Sequence, residues 1–367
     1  MRCPEPAPDA LTAFKGGVEK PTPPFMRPLL VLLVAATVFA ADTSKLRIGE
    51  LAKAGETVEV AQVPALAAAA YARARPAEMP NPVYRLSDIP FLGADRKEKL
   101  DLYFPSGPKR LDRPAVVFIH GGGFTGGDKA EYRSASVSAD LCRAGYVVVS
   151  CNYVLGPKTK EGVWPQNIKD CRDAVRWVRA HAKELGVNPD KIAVAGGSAG
   201  GYLALMVGLS DDKTGPGGDP QAKHSAKVSA VIDMYGVVNF SKHGKGDVVG
   251  ATSAEQQAYL PELQCDPQDP AVLILHGTAD TTVDIQQSKD MVAALKKGNV
   301  IHEFIIVEGA PHTFDLHPKG TGWHRSYTTY SKDPHVIGLQ GGSGTIRMGD
   351  PDLLAPTLDF LARTIGK

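Results

Sequence analysis

An excess of one charge is the first thing this chain lacks. Its 367 residues carry 41 Lys and Arg against 40 Asp and Glu, and no part of the central region concentrates either sign. That balance leaves no basic footprint for nucleic acid or an anionic surface, so neither is expected as a partner. Cysteine is scarce as well. The five present form no C-x-x-C pair and no Cys/His cluster, so a metal site has no support. Phosphate-cradling loops are missing, since neither G-x-x-x-x-G-K-[ST] nor a helix-opening G-x-G-x-x-G occurs. The apolar run from Leu29 to Phe39 is too short to cross a bilayer comfortably.

What that run does resemble is the middle of an export signal. Met26-Arg27 supplies a basic start, and Val38-Phe39-Ala40-Ala41 supplies small residues where a cleavage site would stand. Residues 26–41 are therefore read as a secretory signal peptide, with 1–25 an upstream extension and Met1 or Met26 open as the true start. A secreted or periplasmic location follows, without stable membrane insertion after cleavage. Processing would leave Cys142, Cys151, Cys171 and Cys265, which read as buried small hydrophobes.

Residues 42–80 are rich in Ala and Pro and read as a leader with a short helix near 65–74. A catalytic domain is expected over 81–367. Leu100, Leu102 and Phe104 alternate with polar partners, which predicts a half-buried strand. Six short continuous apolar runs follow: 115–119, 146–150, 192–195, 228–234, 271–275 and 304–307. Runs of this kind suit strands buried on both faces of a parallel sheet. Between them lie helical patterns, the clearest after Pro165, where Ile168, Cys171, Val175, Val178, Ala182 and Leu185 recur at steps of three and four before Gly186. Alternating strands and helices predict an α/β fold, a mostly parallel doubly wound sheet with helices on both faces and a small cap or none. Residues 316–350 are expected to be a polar, Gly-rich insertion whose Trp323, Tyr327 and Tyr330 could line a sugar platform or belong to a solvated loop.

The chemistry starts at Gly196-Gly197-Ser198-Ala199-Gly200-Gly201, between an apolar strand and an apolar helix. Small neighbours let strand and helix approach at a sharp corner that exposes the serine as a nucleophile. A serine needs a base, an acid to orient that base, and donors for the oxyanion. Asp280 follows the run 271–275, and His312 follows the run 304–307. Either alone would read as a turn aspartate or a loop histidine. Three residues in the order Ser198, Asp280, His312, each past a different strand end, argue for a triad. Asp284 and Asp315, His302 and His324 fit less well, and Asp170 and Asp173 read as surface or supporting residues. Upstream, His120-Gly121-Gly122-Gly123-Phe124 ends a strand in a glycine loop. The N–H groups of Gly122 and Gly123, with that of Ala199, are the expected oxyanion donors, and His120 is expected to be structural.

With these motifs, Gly127-Asp128-Lys129, Trp164-Pro165, His276-Gly277 and Pro311-His312 make the chain resemble the α/β-hydrolases. The branch it is most similar to is the hormone-sensitive-lipase-like group that includes feruloyl and acetyl xylan esterase-like enzymes, over about 83–315 and the last helix. The resemblance implies the α/β-hydrolase fold, serine ester hydrolysis without metal or cofactor, and small-molecule or polysaccharide esters as substrates. Tyr153-Val154 and the Gly-Gly before the serine depart from the pattern of that group. A serine peptidase or amidase of prolyl-oligopeptidase-like type, or a non-catalytic binder on the same fold, are the alternatives.

Overall fold

Eleven strands among the described residues form one sheet, and the order in which they pair explains where chemistry can occur. In a computed structural model, the structure describes residues 48–50, 58, 60–72, 83–93, 95–108, 110–156, 164–210, 223–240, 257–314, 327–333, 343–348 and 353–367. All belong to one unit spanning 36–367. The expected signal peptide and upstream extension lie outside the described residues.

The strands are β1 Ile48–Glu50, β2 Val83–Pro90, β3 Lys99–Pro105, β4 Arg113–Ile119, β5 Val147–Cys151, β6 Val187–Gly197, β7 Ala230–Met234, β8 Ala271–Gly277, β9 His302–Glu308, β10 Tyr327–Asp333 and β11 Ser343–Met348. Their spatial order is β1-β2-β3-β5-β4-β6-β7-β8-β9-β11-β10. From β5 through β11 neighbouring strands run parallel, while β3 is antiparallel to β2 and β5, and β10 is antiparallel to β11. The apolar runs correspond to β4 through β9. They are continuous because both sheet faces are covered. Along β4, Val117 and Ile119 enter one core while Val116 and Phe118 enter the other.

Helices α1 Val63–Ala72, α2 Tyr132–Arg143, α3 Gln166–Ala180, α4 Ala182–Leu185, α5 Ala199–Leu209, α6 Gln286–Lys297 and α7 Leu354–Thr364 cover the sheet. Residues of α1, α3, α5 and α6 join one core, and those of α2 and α7 join the other. The helical pattern after Pro165 is realised as α3 and α4, closed by Gly186 in the left-handed region at φ 68°. Helix α5 (AGGYLALMVGL) is apolar on every side and buried almost throughout, packed against the sheet and against α3.

Two segments differ from expectation. The stretch read as a leader holds its expected short helix as α1, but Val63 and Ala67 of that helix are buried in the core and β1 pairs parallel with β2. The stretch read as a polar insertion contributes β10 and β11, with β11 parallel to β9. Its glycines hide a short strand signal in Tyr-Thr-Thr-Tyr and Thr-Ile-Arg-Met. Trp323 lies outside the described residues, and Tyr327 and Tyr330 fall in β10. Cys142, Cys151 and Cys171 are buried thiols and Cys265 is partly buried, in keeping with small core residues.

Candidate active site

The chain leaves β4 toward β5 on one side and later crosses to β6 on the other. In an open α/β sheet, the crevice beyond the carboxyl ends of strands that part this way is where ligands gather. The glycine loop follows β4 and the Ser198 corner follows β6, so both open onto that crevice.

Ser198 occupies the corner at φ 58°, ψ −120°, a conformation costly for a residue with a side chain. The turn packs directly on the backbone end of β4, which only glycine at position 200 permits. A Cβ on Gly200 would stand 2.1 Å from the Ile119 carbonyl oxygen and 2.6 Å from that of His120. The Ser198 N–H donates to the Met234 carbonyl at 2.9 Å, which ties the corner to β7.

His312, from the loop after β9, reaches both partners. Its Nε2 lies 3.1 Å from Ser198 Oγ and its Nδ1 lies 2.6 Å from Asp280 Oδ2. Asp280 sits just past β8 with its side chain fully buried. Its Oδ1 accepts the N–H groups of Thr282 and Val283 at 2.8 and 2.9 Å. Its Oδ2 faces His312 and, at 3.2 Å, His276 Nε2. Burial opposes ionisation here, but the hydrogen bonds from His276, His312 and Val283 outweigh it and hold the carboxyl well below the usual carboxylate range. Tyr235 packs its ring on His312 at 4.7 Å in an edge contact, limiting the imidazole's swing.

Ser198 and His312 open into a cavity of about 450 Å³ lined also by Gly122, Gly123, Phe124 and Ala199. Ala199 opens α5, so its N–H is among those a helix start leaves without an intrahelical acceptor. Gly122 adopts φ 109°, and its carbonyl accepts the N–H groups of Thr125 and Gly126 at 3.2 and 3.1 Å, folding the loop back on itself. A polar frame fixes the loop's far end. Asn152 takes the Lys129 N–H at 2.7 Å and gives its amide to Asp128 at 2.8 Å. Lys129 Nζ, nearly buried, pairs with Asp88 at 2.7 Å and with buried Asp101 at 2.9 Å. His120 does not line the cavity. It stacks on Tyr153 at 4.4 Å, and burial pushes its imidazole down to about 4, consistent with a neutral structural role.

The competing residues stand elsewhere. Asp284 is exposed and takes the Gln286 N–H at the start of α6. His302 is buried at the start of β9 against the Val300 carbonyl. Asp315 and His324 lie outside the described residues. Asp170 is buried and holds Arg96 at 2.6 Å and the Val154 N–H at 2.8 Å; Asp173 is buried beside Arg176. Among the described residues, no group of three His, Cys, Asp or Glu side chains is placed to hold a metal ion.

No sequence signal assigns a role to Tyr235, to the lining residues Val237, Phe240, Glu131 and Arg133, or to Asp233, and His276 stands in the sequence only as part of the His276-Gly277 motif. Asp233, near the end of β7, lies under the Ser198 corner. Its Oδ1 accepts the Gly236 N–H at 2.9 Å and would meet a Cβ on Gly201 at 2.2 Å. Burial pushes its carboxyl up to about 7.

Comparison with known proteins agrees with this architecture. The chain is 30% identical over 223 residues to the probable carboxylic ester hydrolase LipM of Mycobacterium tuberculosis, covering 55% of this chain and 50% of LipM. It spans about half the length of the curated relatives it matches. Among solved structures, it superposes on a truncated carbohydrate esterase from gut microbiota with a TM-score of 0.55 at 25% identity, covering 62% of this chain and 88% of that one. A propionate-bound esterase from the planctomycete Thermogutta terrifontis gives a TM-score of 0.54 at 30% identity, with 67% and 89% covered. The family described as BD-FAE matches residues 100–295, more than half of the sequence. This chain belongs to the BD-FAE family, within the hormone-sensitive-lipase-like branch of the α/β-hydrolases.

Proposed function

We propose that the protein is an exported serine carboxylic-ester hydrolase that removes short acyl groups, acetyl or feruloyl among them, from polysaccharide or small-molecule esters. One observation carries the reading: Ser198 Oγ, His312 and Asp280 form a continuous hydrogen-bonded series at the base of an open cavity. In this reading His312 Nε2 takes the proton from Ser198 Oγ as the oxygen attacks the ester carbonyl. Asp280 holds the ring with Nε2 toward the serine and stabilises its charged form. The N–H groups of Gly122, Gly123 and Ala199 receive the oxyanion. The C–O bond to the alcohol then breaks and His312 returns the proton to the leaving oxygen. Water, deprotonated by the same imidazole, releases the acid and restores Ser198.

The similarity to named esterases supports ester chemistry, and the carbohydrate esterase among the structural neighbours supports a sugar-borne ester. Export rests on residues 26–41. Ser198→Ala should lower hydrolysis of acetylated xylan, feruloyl esters or small acetate esters by roughly 10⁴-fold or more, because such residues act as a unit. Near-normal turnover by that variant refutes the assignment, and faster cleavage of peptide amides than of esters would favour the peptidase alternative.

A further inference from the structure

His276 stands at the end of β8, four residues before Asp280, with its ring fully buried. Both ring nitrogens have neighbours whose chemistry places the proton. Nε2 lies 2.9 Å from the Val283 carbonyl and 3.2 Å from Asp280 Oδ2, and neither oxygen can donate. In the neutral ring Nε2 therefore carries the hydrogen. Nδ1 lies 2.7 Å from Ser288 Oγ on α6, whose hydroxyl donates to the ring's lone pair. The imidazole is thus held from both sides as a fixed N–H donor. That N–H bonds to the Val283 carbonyl and, at 3.2 Å, also lies within reach of Asp280 Oδ2, the carboxylate oxygen that accepts His312 Nδ1–H.

The two carboxylate oxygens of Asp280 are consequently not equivalent. Backbone N–H groups of Thr282 and Val283 occupy Oδ1, leaving Oδ2 to be shared by two imidazoles. The other groups facing the cluster are Asp233, whose buried carboxyl acts on His276 through space, and Tyr235, whose ring lies against His312. An oxygen shared between two donors is a weaker base than one serving a single donor.

We propose that His276 is a positioning residue of the hydrolytic site: its Nε2–H holds Asp280 Oδ2 in line with His312 and moderates the carboxylate's hold on the His312 proton. The inference rests on the hydrolytic reading of Ser198, Asp280 and His312. Without this donor, Asp280 is freer to turn and binds the charged imidazole more tightly. Turnover then falls, and the acid limb of the pH profile moves upward.

The test compares His276→Phe, which keeps the ring volume and removes the donor, with His276→Gln, whose amide N–H reaches toward the same place. The phenylalanine variant should lose about 10- to 100-fold in kcat, the scale of a misplaced catalytic group, with KM within about twofold. The acid limb of kcat/KM should rise by about half a pH unit or more. The glutamine variant should keep kcat within about fivefold and the wild-type limb. If the phenylalanine variant gives no folded protein by thermal melting, the comparison is read from His276→Asn, whose shorter amide stops short of Asp280. Unchanged kcat in the donor-less variant, or equal losses in both variants with an unmoved limb, overturns the proposal. Wild type and Ser198→Ala run alongside. If those two hydrolyse equally, the Ser198 reading fails; if only Ser198→Ala loses activity while His276→Phe does not, the role of His276 alone is refuted.

Discussion

Asp233 should make the fold less stable as pH rises, and its carboxamide should abolish the effect. Its side chain is fully buried under the Ser198 corner, with Oδ1 accepting one backbone N–H. Burial raises the carboxyl from an ordinary 3.8 to about 7 in the folded protein. A group raised on folding contributes stability that is complete below its unfolded value and is lost as pH climbs through its folded value. Most of this loss between pH 5 and pH 8 falls in the two units below 7, at about 1.4 kcal/mol each, or roughly 2–3 kcal/mol in total. Asp233→Asn mimics the protonated acid and does not titrate. The gap between variant and wild type should widen in the variant's favour by that amount from pH 5 to pH 8. For a domain of this size it corresponds to roughly 4–10 °C in Tm, measurable by calorimetry or circular dichroism in matched buffers. Taking the difference cancels the titration of every group the two proteins share. A Tm difference that stays flat across this range would refute the reasoning, because a carboxylate ionised at both ends of the range carries no such penalty.

Asp280→Asn should keep the fold and lower kcat by about three to four orders of magnitude, since an amide cannot hold the His312 tautomer that leaves Nε2 free to take a proton; steady-state kinetics on a small ester decides it. Gly200→Ala places a methyl 2.1 Å from the Ile119 carbonyl and should yield insoluble protein or a loss of several kcal/mol in denaturant unfolding; a wild-type midpoint would mean the corner is looser than its geometry. Lys129→Met leaves buried Asp101 without its 2.9 Å partner and should cost about 3–5 kcal/mol, with a matching drop in ester turnover as the glycine loop loosens; unchanged stability would mean that Arg85, at 3.8 Å, suffices to hold the charge.

The parts legible in the sequence were those with short-range causes. Buried strands β4 through β9 show as continuous apolar runs because both faces are covered, and α3 shows through its three- and four-residue steps. The Ser198 corner and glycine loop are legible because close backbone approach admits only glycine. Asp280 and His312 could be assigned from chain order and their places past strand ends. The strands β1, β10 and β11 were not legible: β1 has three residues, and β10 and β11 carry glycine and polar residues with neither a continuous apolar run nor a clean alternation in the sequence. The contacts of His276 were hidden for another reason. Its resemblance motif was visible, but its hydrogen-bonding partners include Ser288, twelve residues on, and only the folded path of α6 brings that hydroxyl to the ring. Tyr235 and Asp233 likewise gain their meaning from the neighbouring strand ends.

The strands at the two margins show where such a sheet has room for change. β1 extends one margin of the sheet, and the β10–β11 ribbon extends the other, while the paired strands β4 and β6 remain at its centre. A strand at a margin needs only one hydrogen-bonding neighbour, whereas one placed across the middle would have to displace the pair carrying the serine corner and the glycine loop. The margins can therefore vary without altering the spacing of the paired strands that carry the serine corner and the glycine loop.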